Sequence, residues 1–236
     1  MDFNNENEKY RRITRSDGSL PSYEAYGRAT GGIPSSEAYR LAREKQNFAN
    51  NQDAIFDRVF NRTLGEEGGY EDRANLIDTP TNMGFQQTTL DNFKSAHPDL
   101  AQGYPENVKD LTYDQGRQIA RKDYFDKYRI GEIQHQPLQE TMFDSFFNHS
   151  PQAPAYWAQK AINQNTNMHV DEDGIFGSQT IGALNNLSPS EIANVNNAIL
   201  DQRQLDYEQQ KLINQNPNYN NYTVGLPDRF DRFRIK

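Results

Sequence analysis

No cysteine occurs among the 236 residues, so the chain holds no disulfide, no thiolate nucleophile and no cysteine-type zinc site. It is therefore indifferent to the redox state of its compartment. Long apolar runs are also missing. Only 34% of the residues are hydrophobic, the mean hydropathy is -1.00, and nothing approaches the roughly 20 apolar residues that cross a bilayer. Positive charge is short too, with 25 Lys and Arg against 33 Asp and Glu and a net charge of -8. That excludes a general nucleic-acid binder, because neutralising phosphates needs clustered basic residues. The opening Met1-Asp-Phe-Asn-Asn-Glu6 has neither the basic nor the apolar region of a secretory signal. The expectation is synthesis in a cytoplasm, with another agent carrying the protein to any target outside it. The four histidines (97, 135, 149 and 169) share no ligand spacing, which favours surface or structural roles over metal. Asp171-Glu-Asp-Gly174 resembles a calcium loop only in part, since His169 and Thr180 stand where an EF-hand needs acidic ligands. No metal or cofactor is expected.

What is present is enough chain for one large domain or two small ones with a real core. Strand-like alternation is absent and the class reads as all-α. Residues 1–47 mix Arg, Ser, Gly, Pro, Asn and Tyr without periodicity and read as a polar extension, with one short helix around Ser36–Lys45. Ile55, Phe56, Val59, Phe60, Thr63 and Leu64 recur at helical spacing. Further helices are expected over Leu90–Ala96, from the capping-box pattern Thr112-Tyr-Asp-Gln115 through Ile119, Tyr124 and Tyr128 to Gly131, and over Leu138–Asn148. Pro151 and Pro154 should break that last helix before another begins at Tyr156. Ser188-Pro-Ser-Glu191 combines a cap, a proline at the first helical position and a glutamate at the third. It opens a helix to about Asn214, with Ile192, Val195, Ile199, Leu205 and Leu212 as its apolar line.

The stretch from Leu64 to Phe85 carries the chemistry. Glu67 extends the apolar stripe of Thr63 and Leu64 for as long as the last turn stays helical, and Gly68-Gly69 then stop it. A carboxyl group on an apolar face tends to stay protonated near neutrality, as a general acid must. The alternative is a helix-end glutamate that snorkels to water. Glycoside hydrolysis needs one protonated acid and a second group that activates water or stabilises positive charge, and Glu66, Glu71, Asp72, Asp78, Thr79 and Thr81 lie nearby. Tyr70, Tyr124 and Trp157 are aromatic candidates for stacking on sugar rings, with core packing as the alternative for each. Asn148 is a helix C-cap or a cleft residue.

Glu67-Gly68-Gly69-Tyr70 followed by Thr81-Asn82-Met83-Gly84-Phe85 resembles the signature of glycoside hydrolase family 108, lysozyme-like N-acetylmuramidases of phage lysins and bacterial secretion activators. Asp110-Leu111-Thr112, Arg121 to Asp126 and Phe143 to Pro151 resemble later blocks of that family in the same order. Asp173-Gly174-Ile175-Phe176-Gly177-Ser178-Gln179-Thr180 is similar to the peptidoglycan-binding element paired with that catalytic domain. Three positions depart from the pattern. Leu76 falls where a family aspartate aligns, which leaves Asp78 as a displaced substitute, while Met83 replaces a tyrosine and Ser178 a proline.

The resemblance implies a lysozyme-like helical domain over residues 48–150 and a peptidoglycan-binding-like helical region and tail over 151–236. It implies a cofactor-free reaction on peptidoglycan glycan strands, with Glu67 as the acid, Thr81 or Asp78 organising water, and Tyr70, Tyr124 and Asn148 meeting substrate. The polar extension and missing signal fit a phage endolysin or virion lysozyme, the extension contacting phage structural proteins. The alternatives are a lytic transglycosylase and a non-catalytic assembly protein that keeps the fold.

Overall fold

The computed structural model describes residues 36–66, 81–213 and 226–236. Glu67, Tyr70 and Asp78 lie outside them. The chain divides into two compact units, Met1–Asp57 and Arg58–Lys236. Helix α1 (Ser36–Glu66) contains the division. The two helical segments expected between Ser36 and Leu64 are this one helix, because no glycine or proline interrupts the sequence between them.

In the larger unit a two-residue hairpin, β1 (Thr81–Asn82) and β2 (Phe85–Gln86), leads into α2 (Gln87–Ala96). A 3-10 turn (Val108–Asp110) precedes α3 (Tyr113–Ala120), which continues as a π-helical turn over Arg121–Asp126. The capping box forms as expected: Thr112 Oγ1 accepts from the Gln115 N–H and Gln115 Oε1 accepts from the Thr112 N–H. Gly131 does not terminate this segment. Arg129 takes the left-handed conformation instead (φ 54°) and Gly131 sits inside a 3-10 turn, Ile130–Glu132. The strained arginine is held by Glu132 at 2.6 Å and by Ser178 Oγ at 2.9 Å.

Helix α4 (Gln136–Asn148) is the centre of the unit. Leu138, Met142, Phe143 and Phe146 are buried as the spacing predicts, but so are Gln139, Thr141, Asp144, Ser145 and Phe147. A helix covered on all sides carries no single apolar stripe. Helix α5 (Gln152–Asn165) begins earlier than expected, because Pro154 falls in its first turn, where a missing N–H costs nothing. It packs along α7 (Pro189–Ile213), with α6 (Ser178–Asn185) between them in sequence.

The apolar line of α7 differs from the expected one. Val195, Ile199, Leu200, Arg203 and Tyr207 are buried, whereas Leu205 is 53% and Leu212 85% exposed. Four-residue steps from Val195 and Ile199 reach Arg203 and Tyr207, so an arginine takes the core position that the leucines lose. The tail forms a further helix, α8 (Leu226–Phe233), whose Phe230 and Phe233 complete a buried cluster with Leu200 and Tyr207.

Candidate active site

The last turns of α1 bring Val59 and Phe60 into the core with Thr63, and Leu64 is half-buried. The Tyr113 ring at the start of α3 lies 5.8 Å from that of Phe60, and its hydroxyl donates to Asn61 Oδ1 at 3.0 Å. Arg58 and Arg62 both face Glu140 of α4, at 3.5 and 3.3 Å. These contacts fix the end of α1 from two sides, and Glu67 follows directly on it. Thr63 Oγ1, in the last turn of α1, is buried with no hydrogen-bond partner among the described residues.

Thr81 forms the other end of this connection. Its backbone pairs with Gln86, and Asn82 pairs with Phe85. Met83 (φ 53°) and Gly84 (φ 80°) form the turn between them, both left-handed as a two-residue hairpin needs. A methionine in this conformation is strained, and it rests on helix α3 at Gly116. A Cβ on Gly116 would lie 2.8 Å from Met83 Cε and 3.1 Å from Phe85 Cε2, so a larger residue there would press on the methionine end and on the Phe85 ring. Asn82 anchors the first strand, its Nδ2 donating to the carbonyls of Val108, Lys109 and Leu111 at 3.0, 3.2 and 3.1 Å. Gln87 extends the seam, accepting from the Val108 N–H and donating to the Glu106 carbonyl.

Tyr124 lies in the π-helical turn, half-buried, with its ring 6.5 Å from Phe85 and 5.1 Å from Phe147. Burial pushes its phenol up to about 12 against the opposing hydrogen bond of Thr89, so it stays a neutral hydroxyl at any ordinary pH. Asn148, the last residue of α4 and next to Phe147, is exposed, and its Nδ2 donates to the Asp144 carbonyl at 2.8 Å. Trp157 is a core residue whose Nε1 donates to Asp206 Oδ2 at 2.7 Å.

Sequence reasoning missed two features around this frame. One is the Asn82 anchor, which ties the Thr-Asn-Met-Gly-Phe block to the Asp110-Leu-Thr block. The other is buried Asp144, which accepts from Arg203 of α7 at 2.6 Å and from Arg229 of α8. Burial alone would raise this carboxyl; the two guanidiniums overcome that and hold it below the usual carboxylate range. An arginine at a four-residue step from Ile199 in an apolar line was the available signal. His149, stacked edge-on against Trp157, is pushed down to about 3 by burial and by the nearby Arg203 charge.

The Asp173-Gly174 loop is closed by its own bonds. Asp173 Oδ1 accepts from the Ile175 N–H and from Gln159 Nε2, each at 2.8 Å, and Gln159 Oε1 accepts from the Gly174 N–H. Among the described residues no group of three or more His, Asp or Glu side chains could hold a metal ion. No described helix is long and apolar enough to cross a membrane.

The helical layers around α4, with a short hairpin leading into α2, define an all-α fold of the lysozyme-like kind. The sequence model of glycosyl hydrolase 108 matches residues 60–149, and this segment belongs to that family. It runs from Phe60 through Glu67, the hairpin and Tyr124 to the end of α4. Over residues 60–149 the chain thus resembles a glycoside hydrolase. No curated protein matches it. Among solved structures it is similar to SagA of Brucella abortus, with 22% identity and a TM-score of 0.57 over 77% of this chain and 92% of that one. That likeness is one of fold.

Proposed function

We propose that the protein is a lysozyme-like peptidoglycan hydrolase, an N-acetylmuramidase that cleaves the β-1,4 bond between N-acetylmuramic acid and N-acetylglucosamine. The observation that carries this reading is the glycosyl hydrolase 108 match over residues 60–149, which contains Glu67 and Thr81. Glu67 donates a proton to the glycosidic oxygen as the bond breaks. Thr81 or Asp78 orients the water that attacks the anomeric carbon, and this water returns a proton to the site. Tyr70, Tyr124 and Asn148 meet the glycan strand. The aromatic contacts of Tyr124 and its neutral hydroxyl suit a sugar-facing wall. The region from 151 to 236 holds the domain on its polymer, and the long polar stretch of residues 1–47 contacts a phage particle that delivers it.

A second reading rests on Leu76, which stands where the family pattern has an aspartate. With no second carboxylate, Glu67 alone serves a lytic transglycosylase, or the fold persists as a non-catalytic assembly module. Digestion of purified peptidoglycan, with products read by mass spectrometry, tests these readings. Reducing muramic-acid ends are expected. Anhydro-muramic ends would establish the transglycosylase, and undigested glycan from folded protein would establish the non-catalytic module.

A further inference from the structure

We infer that Asn82 is a positioning residue for the reaction: its side-chain amide fixes the hairpin strand that presents Thr81. This rests on the reading above, in which Thr81 orients the attacking water. The hairpin is short, and two backbone pairs cannot hold it in place by themselves. Its fixation comes from outside. Asn82 is 8% exposed, and its one amide nitrogen reaches three carbonyls of the Val108–Leu111 segment. These carbonyls belong to a 3-10 turn and the residue closing it; Val108 O also accepts the turn's own bond from the Leu111 N–H at 3.1 Å, and the Asn82 amide adds a donor from outside the turn. Thr81 is joined to Asn82 by one peptide bond and lies on the same strand, so loosening the anchor loosens the strand that carries it. Met83 and Phe85 also rest on Gly116 of α3, which limits movement toward the helix. The hairpin is thus held by a hydrogen-bonded anchor and by an apolar contact. Chemistry that depends on the placement of one hydroxyl is sensitive to shifts of about an ångström.

Only an amide meets this arrangement. Asparagine and aspartate have the same shape, but a carboxylate would face three carbonyl oxygens with no proton to offer. The test compares wild type, Asn82→Asp and Asn82→Ala with Val195→Ala, a buried change in α7 that lowers stability away from the hairpin. Two readouts are taken well below every unfolding midpoint: amide hydrogen exchange, and kcat and KM on soluble glycan strands. Exchange at the hairpin and at 108–111 should speed up by at least tenfold in both Asn82 variants and stay unchanged in Val195→Ala. The kcat should fall by at least tenfold in the Asn82 variants, with KM within about threefold, while Val195→Ala keeps the wild-type kcat. Unaltered exchange in Asn82→Asp would overturn the anchor, whatever the activity. Faster exchange with wild-type kcat would overturn the positioning role. A wild type that cleaves no glycan but whose Asn82 variants exchange faster would overturn the proposed function and, with it, the catalytic half of this inference.

Discussion

Arg203 donates to Asp144 at 2.6 Å, with both side chains fully enclosed, and Arg229 reaches the same carboxylate from the last helix of the chain. This cluster joins the family-matched segment to the helices C-terminal to it. Asp144 lies in α4, inside residues 60–149, while Arg203 and Arg229 come from α7 and α8. Removing one partner leaves a buried charge uncompensated, which costs about 3–5 kcal/mol. Asp144→Ala, which strands both guanidiniums, should lower stability by that order in urea denaturation, and Arg203→Ala, which leaves Arg229 on the carboxylate, by less. The triple variant Asp144→Leu, Arg203→Leu and Arg229→Leu, which leaves no charge of the cluster behind, should lose much less than the sum of the three single leucine variants.

His149 makes stability pH-dependent in the acid range. Its folded pKa of about 3 lies below the ordinary histidine value, so the unfolded chain binds a proton that the folded chain refuses. Above about pH 6.5 neither state is protonated and stability is unaffected. Below it, stability falls by roughly 1.4 kcal/mol per pH unit until the folded pKa is reached. Unfolding curves between pH 7 and 4 should show this slope in wild type. His149→Phe should flatten it, while any fall from acidic residues stays.

Gly116 predicts a steric effect on the hairpin. Valine there would press on Met83 Cε and on the buried Phe85 ring. Gly116→Val should cost about 1–3 kcal/mol. Adding Met83→Ala should recover part of this, since the methionine end is the nearest atom. A thermal-denaturation cycle over the four proteins measures the coupling.

Trp157 predicts a further coupling, between α5 and α7. Its indole N–H donates to the Asp206 carboxylate across the two helices. Trp157→Phe and Asp206→Ala should each cost about 1–3 kcal/mol. Because each removes the same bond, the double variant should cost less than the sum of the singles.

The fold was legible wherever a local signal governed it. Thr112-Tyr-Asp-Gln115 and Ser188-Pro-Ser-Glu191 mark helix starts that form where they stand, because capping uses atoms within three residues. Signals that depend on distant contacts were not legible. Leu205 and Leu212 look like core residues in the sequence, yet Arg203 takes the inner position because its partner waits in α4, 59 residues away. Glycine misled in the same way: Gly131 has the freedom to end a helix, but Arg129 does so because Glu132 and Ser178 hold it there. At the candidate site the sequence singled out Glu67, Thr81 and Tyr124 together. It could not show that Asn82 binds three carbonyls of a segment beginning 26 residues on.

The most direct test of the proposed hydrolysis is peptidoglycan cleavage by Glu67→Gln beside wild type, both verified as folded. Wild type should release fragments with reducing muramic-acid ends, and Glu67→Gln should lose at least about 100-fold in rate, the scale of a general acid. Equal rates from the two proteins, or no release by folded wild type, would contradict the assignment of Glu67 as the acid of a muramidase.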